Sequence, residues 1–183
     1  MAESLRGKLI LASPVLRDPN FVRTVVLIAE HTEEGAMGLV LNRPAQSTVG
    51  EAVPDLGWLA GDEEPVYVGG PVAETAVIVL AEFDQPDLAG AIVDGDLGFI
   101  GADADDPERL DGAIRRARVF AGHAGWGPGQ LEDELAEEAW IVEPPTREEI
   151  FTAEPGELWA AVLRRKGHRY ALLATMPPDP SLN

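Results

Sequence analysis

The sequence predicts an α+β domain with a mixed, mainly antiparallel sheet, and three observations support this prediction. Short segments rich in Val, Leu, Ile and Thr, separated by turns that contain Gly, Pro or Asn, dominate the N-terminal half and are typical of strands. Helical spacing of apolar residues occurs mainly in the second half. The 183 residues are enough for one ordinary core and few for two, and no repeat or low-complexity linker divides them. We therefore expect residues 1–183 to form a single domain.

The predicted strands follow the apolar segments along the chain. A loop around Pro19 separates the first two strands, and the short interval before Ala36, with Gly35 at the turn, predicts an antiparallel hairpin between the second and the third. A further turn contains Gly69 and Gly70, whose backbones permit positive φ. The predicted strands are residues 8–12, 23–31, 37–41, 66–68, 76–82, 98–100 and 140–142.

A helix is predicted to begin at Asp106, because an acidic capping residue followed by a proline, Pro107, is a typical helix start. Apolar residues at positions i, i+4 and i+7 continue it, namely Leu110, Ile114 and Ala117. Outside the segment described next, this is the clearest helical pattern in the chain.

Shorter segments complete the prediction. Ser47 or Thr48 is a suitable N-cap for a short helix over residues 49–56, which Pro54 interrupts. Residues 170–174 fit either a strand or a helix, and the prolines after them predict a loosely held tail. The remaining helices are predicted at residues 147–151 and 156–163, and the tail at residues 175–183.

Residues 119–135 are the most informative segment, because an apolar run passes into a glycine-dense stretch and then into an acidic amphipathic one. Four glycines lie between residues 122 and 129, and Leu131 and Leu135 then repeat at helical spacing. We predict a strand, a special turn and a helix. Three side chains that are typical of functional sites stand on the predicted turn: His123, Trp126 and Gln130.

The composition is that of a soluble globular protein, with 45% hydrophobic and 25% charged residues. No window approaches the roughly 18 consecutive apolar residues of a spanning helix, and the N-terminus lacks the pattern of a signal peptide. We expect a cytoplasmic protein without membrane contact. The chain has no cysteine, which excludes disulfides, thiol nucleophiles and thiolate metal sites.

The charge is the strongest constraint on partners. The chain has 14 basic and 32 acidic residues, a net charge of −18, so phosphate backbones and anionic membranes repel it and direct nucleic-acid binding is not expected. One local cluster of four cations is an exception to this acidic character. It follows the helix predicted at 156–163, and the favoured interpretation is that these cations stabilise the helix C-terminus. The alternative is a small docking patch for an acidic partner. The four cations are Arg164, Arg165, Lys166 and Arg169.

Several motifs occur in an order that resembles the AlgH/YqgE family of bacterial proteins. They are residues 7–14, Asp18 with Phe21, His31, residues 35–44, 69–72, 124–126 and 129–132, Glu134 and Trp140. The resemblance implies a single compact α+β domain in which a bifurcated sheet, partly closed into a small barrel, is surrounded by helices. The family commonly has a tyrosine where this chain has His123, so a role that needs a phenol does not carry over. The family's association with transcriptional regulation fixes no mechanism, and the resemblance therefore predicts a fold but no activity.

The familiar catalytic and cofactor motifs are missing from the sequence. The three histidines, His31, His123 and His168, form neither H-E-x-x-H nor a pair at helical spacing, so no metal is expected. No serine lies in G-x-S-x-G, and both G-x-x-x-x-G-K-[ST] and G-x-G-x-x-G are absent. The sequence thus predicts no cofactor and favours a protein that is not an enzyme.

The acidic residues have ordinary structural explanations. Backbone amides at the start of the predicted helix after Gly129 are a possible anion site, but the acids at 132–134 would repel a phosphate there. We interpret these acids as partners of the helix dipole and the glycines as the turn. The pair of Asp94 and Asp96 lacks the full spacing of a calcium loop and is interpreted as part of a turn.

Two groups of residues are the candidate functional surface. The first lies around the glycine-rich segment, where a histidine beside a tryptophan can titrate near neutrality; the competing interpretation is a half-buried histidine bonded to a carbonyl, with tryptophans that fill the core. The second is a strand-ending turn whose arginine can reach an acidic group of a partner. The candidate residues are His123, Trp126, Gln130, Glu134, Asn42 and Arg43.

Three functional hypotheses remain, and the first is preferred. It is a non-enzymatic interaction or regulatory protein whose turn region and neighbouring surface contact another protein. The second is a small-molecule-binding protein or an unrecognised enzyme with a pocket over residues 122–134, which requires those side chains to share a cavity. The third is a DNA-binding regulator, which the net charge of −18 disfavours. The sequence predicts neither a particular partner nor an oligomeric state.

Overall fold

The fold, described here from a computed structural model that covers residues 3–101 and 107–177, is a mixed α+β domain built on a large sheet. The strands are β1 (Leu9–Ala12), β2 (Val25–Thr32), β3 (Gly35–Val40), β4 (Pro44–Thr48), β5 (Pro65–Val68), β6 (Val72–Phe83), β7 (Ala91–Asp94), β8 (Leu97–Phe99), β9 (Ile114–Trp126) and β10 (Trp140–Glu143). The helices are α1 (Val49–Ala52), α2 (Gly57–Ala60), α3 (Pro107–Leu110), α4 (Gln130–Ala136), α5 (Arg147–Ile150), α6 (Leu158–Lys166) and α7 (Arg169–Leu173).

The sheet branches at its longest strand, β9. The main path runs in the order β10-β1-β2-β3-β9-β6-β8-β7, while β4 and β5 form a side branch. Residues 124–126 of β9 pair with β3, residues 120 and 121 pair with β5, and β6 pairs along most of β9. Only the pairing of β5 with β9 is parallel among the described strands.

The resemblance implied a sheet partly closed into a small barrel, and this expectation is not supported. Closure would require the terminal strands of the path, β10 and β7, to pair with each other, and within the described residues β10 pairs only with β1 and β7 only with β8. The large, mainly antiparallel sheet and the surrounding helices are as predicted.

Strands β1 and β2 are buried on both faces, which explains why they are continuous apolar runs rather than alternating ones. On one face Leu9, Leu11 and Leu27 pack with Trp159 and Val162 of α6. The other face packs beneath the loop before β2 and the start of α4, and its buried residues are Ile10, Val26, Ile28, Val40, Trp126, Leu131 and Trp140.

The helix predicted over Asp106 to Ala117 is wrong for most of its length. Asp106 lies outside the described residues, α3 ends at Leu110, and Gly112 has φ +72°, which turns the chain. From Ile114 the chain is strand β9. The spacing of three apolar residues was compatible with a helix, but pairing with β6, some 35 residues earlier in the chain, decides the conformation.

The predicted glycine turn at 122–129 is too long. Gly122 and Gly125 lie within β9, and the turn contains only Gly127, Pro128 and Gly129, with Gly129 at φ +75°. His123 and Trp126 are therefore strand residues, while Gln130 begins α4. The strand and the helix on either side of this turn are confirmed.

The other local predictions were mostly correct. The seven predicted strands are all present, although β4 and β7 were missed. Thr48 caps α1 through a capping box, but α1 ends at Ala52 and a 3-10 turn over Pro54–Leu56 replaces the rest of the predicted helix. The segment around 170–174 is helical, in α7. The predicted tail is described only as far as Pro177. No helix among the described residues has the length and apolar character that crossing a bilayer requires.

Candidate functional site

The carboxylate of Glu134 accepts hydrogen bonds from three side chains around it. Its Oε2 accepts from the indole Nε1 of Trp126 at 3.0 Å and of Trp140 at 2.7 Å. Its Oε1 accepts from Nε2 of Gln130 at 3.0 Å, and Oε1 of Gln130 in turn accepts from the backbone N–H of Gly127 at 3.0 Å. Both carboxylate oxygens are thus engaged, and the chain of bonds fixes the turn before α4 to the sheet.

An aromatic cluster covers this network. The rings of Trp126 and Trp140 lie 5.9 Å apart at 75°, and Phe21 packs against them at centroid distances of 6.1 and 5.7 Å. Trp126 is 6% exposed and Trp140 5%. Such edge-on aromatic packing contributes to stability in addition to the buried area. The competing interpretation, that the tryptophans fill the core, therefore describes both of them.

Asn42 and Arg43 hold the loop that contains Phe21. Asn42 accepts from the N–H of Val25 at 3.0 Å and donates to the carbonyl of Arg23 at 2.9 Å. The guanidinium of Arg43 donates to the carbonyls of residues 19, 20 and 22 at 2.6 to 3.1 Å. The pair thus acts as a side-chain clamp on residues 19–25.

Arg43 also borders a cleft on the surface. Partial burial lowers the pKa of its guanidinium, and the charge of Asp18 partly offsets this effect. The cleft has a volume of about 60 Å³ and is lined by Arg43, Val68, Gly70 and Glu74, among others. It holds no more than a few water-sized groups and is too small for an ordinary substrate.

His123 lies apart from the Glu134 network. It is half-buried on β9 and stands opposite Val72 of β6. Because successive side chains of a strand alternate between faces, His123 and Trp126 leave opposite faces of the sheet. The backbone of His123 is also approached closely by Gly70, which has φ +154°; a Cβ there would lie 2.2 Å from the His123 carbonyl. The six candidate residues thus occupy three places.

Comparison with known proteins places this arrangement in a family. A family model described as DUF179: AlgH-like matches residues 9–171. The chain belongs to the AlgH-like family. A UPF0301 protein of Streptomyces coelicolor is 44% identical over 98% of this chain and 96% of its own length. A UPF0301 protein of Mycobacterium tuberculosis is 38% identical over 97% and 90%, respectively.

Two solved structures share the AlgH-like fold. The crystal structure of protein DIP2367 from Corynebacterium diphtheriae has a TM-score of 0.85 at 28% identity, covering 96% of this chain and 94% of that one. The solution structure of AlgH from Pseudomonas aeruginosa has a TM-score of 0.73 at 30% identity, covering 97% and 98%. The names of these relatives state a family and no activity.

A contact that the sequence did not predict joins His31 to Glu132 of the AlgH-like fold. Nε2 of His31 lies 2.6 Å from Oε1 of Glu132, and its Nδ1 accepts from the N–H of Leu5 at 3.0 Å. Since Nδ1 is an acceptor, Nε2 carries the proton and donates to the carboxylate. This hydrogen bond lowers the pKa of Glu132. The partners are 101 positions apart, so no local spacing indicated the pair.

The C-terminal cations of the AlgH-like chain are largely engaged within it. Arg165 bonds Glu143 at 3.0 Å and Glu149 at 2.9 Å, while Lys166 bonds Glu143 at 2.8 Å. These pairs tie α6 to α5 and β10. The favoured interpretation, cations at a helix end, fits the positions of Arg165 and Lys166 in the last turn of α6.

Proposed function

We propose that this AlgH-like protein is a non-enzymatic protein-binding or regulatory protein. Its partner would contact an open sheet face, defined here as the side chains of Val68, Val77 and Ala121. The observation that carries the proposal is that two valines of this apolar row, Val68 and Val77, are exposed although the row continues the core.

The strand register places these side chains on one face. Val68 of β5 and Val77 of β6 both stand opposite Ala121 of β9, and Val72 stands opposite His123. Directly opposed residues share a face, so Val68, Val77 and Ala121 lie on the same one. Val72 and His123 lie beyond the register shift between β6 and β9, where Gly122 has φ +74°, and are not part of this row. Val68 and Val77 are 41% and 48% exposed, respectively. The row therefore crosses three neighbouring strands and is open to a partner.

The same face is covered immediately beside the open row. Val66, Val79 and Val119 lie two positions along β5, β6 and β9 and are at least nine-tenths buried. They pack against residues of α1, α2 and the 3-10 turn between them, including Leu56 and Leu59. The helices thus end where the open row begins, and exposed apolar surface next to a core is typical of protein-binding sites.

The candidate residues other than His123 support a binding role over a catalytic one. Trp126, Gln130 and Glu134 use their polar groups on one another, and Asn42 and Arg43 use theirs on backbone groups. Because these polar groups are already hydrogen-bonded within the protein, neither group of residues offers a free nucleophile with an adjacent base. The net charge of −18 favours a protein partner with basic groups over nucleic acid or an anionic membrane.

The test compares the partners retained by tagged wild-type protein with those retained by matched variants. We expect Val77→Lys to lower recovery of a stoichiometric partner by about tenfold or more, as loss of a buried interface contact does. Leu172→Lys is the matched control, because Leu172 is an exposed apolar residue on α7, 71% exposed, outside the row. Reconstitution with the purified partner must reproduce the difference.

Two results would contradict the proposal. One is that affinity purification from native cells recovers no stoichiometric partner. The other is that a partner binds Val77→Lys and wild type equally. The pocket hypothesis for residues 122–134 gains no support from the opposite faces taken by His123 and Trp126. A salt-titrated assay that detected DNA affinity in the purified protein would favour the third hypothesis instead.

A further inference from the structure

A cavity of about 360 Å³ lies beside the outer edge of β10, and two of the C-terminal cations, Lys166 and Arg169, line it. Its walls come from the loop after β1, the end of α4, β10 and the α6–α7 pair. This volume is in the range of small-molecule sites. Its lining includes Ser13, Val15, Glu138, Lys166, Arg169 and Tyr170.

One end of the cavity is positively charged. Arg169 donates to the hydroxyl of Tyr170 at 3.1 Å, and its guanidinium carbon lies 5.1 Å from the ring centre. Lys166 lies 4.8 Å from the same ring centre, but its charge is paired with Glu143 at 2.8 Å. Arg169 has no carboxylate within 4.0 Å in the part of the chain that the structure describes. Among the described residues its guanidinium therefore has no ion-pair partner, and its side chain donates there to Tyr170.

A carboxylate stands on the same cavity. Glu138 is exposed, has φ +58° and lines the wall without an ion pair to Arg169 among the described contacts. The hydrogen bond to Tyr170 raises the pKa of Arg169, and the charge of Glu138 adds to this effect. The two opposite charges thus influence each other across the cavity without direct contact. A simple anion would be attracted by Arg169 and repelled by Glu138, whereas a zwitterion satisfies both.

The rest of the wall offers apolar surface and unused hydrogen-bonding groups. Val15 is 70% exposed. Lys166 donates to the carbonyl of Val142, and this carbonyl therefore points away from β1, towards the outer edge of β10. Because backbone groups two residues apart on a strand point the same way, the N–H and C=O of Trp140 also lie at this outer edge. Ser13 is 7% exposed, and its hydroxyl has no hydrogen-bond partner in the described protein. A buried hydroxyl without a partner is costly and unusual.

We propose that this cavity binds a small zwitterion with an apolar body, of the class of a free apolar amino acid. Its carboxylate pairs with Arg169, its ammonium group with Glu138, and its side chain packs against the apolar wall with Val15. The hydroxyl of Ser13 and the outer edge of β10 supply further hydrogen bonds. The site is separate from the open sheet face, so it stands or falls independently of the proposed protein partner.

The test uses free valine, leucine, methionine and phenylalanine as probes, with binding followed by amide and indole NMR shifts and by calorimetry on the full chain. We expect at least one of them to saturate below about 10 mM and to shift the Trp140 indole signal. N-acetylation, which removes the ammonium charge, and amidation, which removes the carboxylate charge, should each weaken that probe about tenfold or more, the usual effect of losing a charge-assisted hydrogen bond.

Variants of Arg169 and Glu138 test which residue binds each charged group of the amino acid. Arg169→Gln should weaken the free amino acid about tenfold but change the binding of its amide little, while Glu138→Gln should weaken the amino acid and improve binding of its N-acetyl form. Ser13→Ala should weaken binding without lowering Tm, because the unliganded hydroxyl has no partner to lose. Val77→Lys is the control and should bind normally.

The inference is overturned if no probe saturates. It is also overturned if the N-acetyl form binds wild type as well as the free amino acid does, since the site would then be a plain anion site. Equal binding to wild type and to both charge variants would contradict it as well.

Discussion

Replacing Glu134 with alanine tests whether this carboxylate anchors the fold. In wild type its Oε2 accepts from the indole N–H of Trp126 at 3.0 Å and of Trp140 at 2.7 Å. The two tryptophans are only 6% and 5% exposed, so truncation leaves two donors stranded. Each stranded buried donor costs about 1–3 kcal/mol, and we therefore expect a loss of about 4 kcal/mol. For a chain of this size the corresponding fall in Tm is about 10 °C.

Glu134→Gln tests how much of this stability depends on the charge of Glu134 and how much on the shape of its side chain. The amide keeps one oxygen that can accept from both indoles, but it converts charge-assisted bonds into neutral ones and turns an N–H₂ group towards Gln130, which also donates there. We expect a loss of about 1–2 kcal/mol, between wild type and alanine. Because Glu134 lies away from the open sheet face, partner binding by the folded glutamine variant should be unchanged.

The measurement is urea unfolding, followed by tryptophan fluorescence and by far-UV circular dichroism to verify that the two transitions coincide. Glu137→Ala is the matched control, since Glu137 is exposed at the end of the same helix and should change stability by less than about 0.5 kcal/mol. The reasoning is refuted if Glu134→Ala unfolds within about 0.5 kcal/mol of this control, because the indole donors then do not depend on the carboxylate.

Two further predictions concern the turn near His123 and the pH dependence of stability. Gly70→Ala should cost about 2 kcal/mol or more, since a Cβ would lie 2.2 Å from the His123 carbonyl, while Gly156→Ala, with nothing within 4 Å, should be nearly neutral in the same urea assay. The hydrogen bond from His31 lowers the pKa of Glu132. The stability that ionised Glu132 contributes is therefore fully present above its pKa in the unfolded chain, about 4.3, and is lost as the pH falls through its pKa in the folded protein. The Tm difference between wild type and Glu132→Gln should therefore shrink below about pH 4, and a difference that stays constant down to acid pH would exclude this linkage.

The parts of the fold that local sequence could predict are those that local chemistry determines. β1 and β2 are apolar runs long enough to be buried on both faces, and Thr48 forms a capping box with Glu51 that begins α1. α3 and β9 show the opposite case. A helix fits the spacing of Leu110, Ile114 and Ala117. The segment from Ile114 onwards is nevertheless a strand, because it pairs with β6 in a long ladder.

The same distinction applies to the candidate site. Trp126, Gln130 and Glu134 were selected within nine positions of one another, and the structure does join them through hydrogen bonds. His123 could not be separated from them by sequence, because its separation depends on Gly122 to Trp126 being a strand rather than a turn. Phe21 bridges the clamp and the aromatic cluster, and no spacing in the sequence indicates such a long-range contact.

Three residues of the family motifs have steric or hydrogen-bonding explanations, and this directs the search for function elsewhere. Gly70 leaves no room for a side chain, Asn42 ties two backbone groups, and Glu134 satisfies two buried indoles. Residues with such duties are required by the fold whatever the protein binds. Two features that such duties do not explain are an exposed valine, Val77, beside a covered core and Arg169 at a cavity, without an ion pair among the described residues. Since burial of exposed apolar surface is favourable and a guanidinium at a cavity can pair with an anionic group of a ligand, these two places are where binding should be measured first.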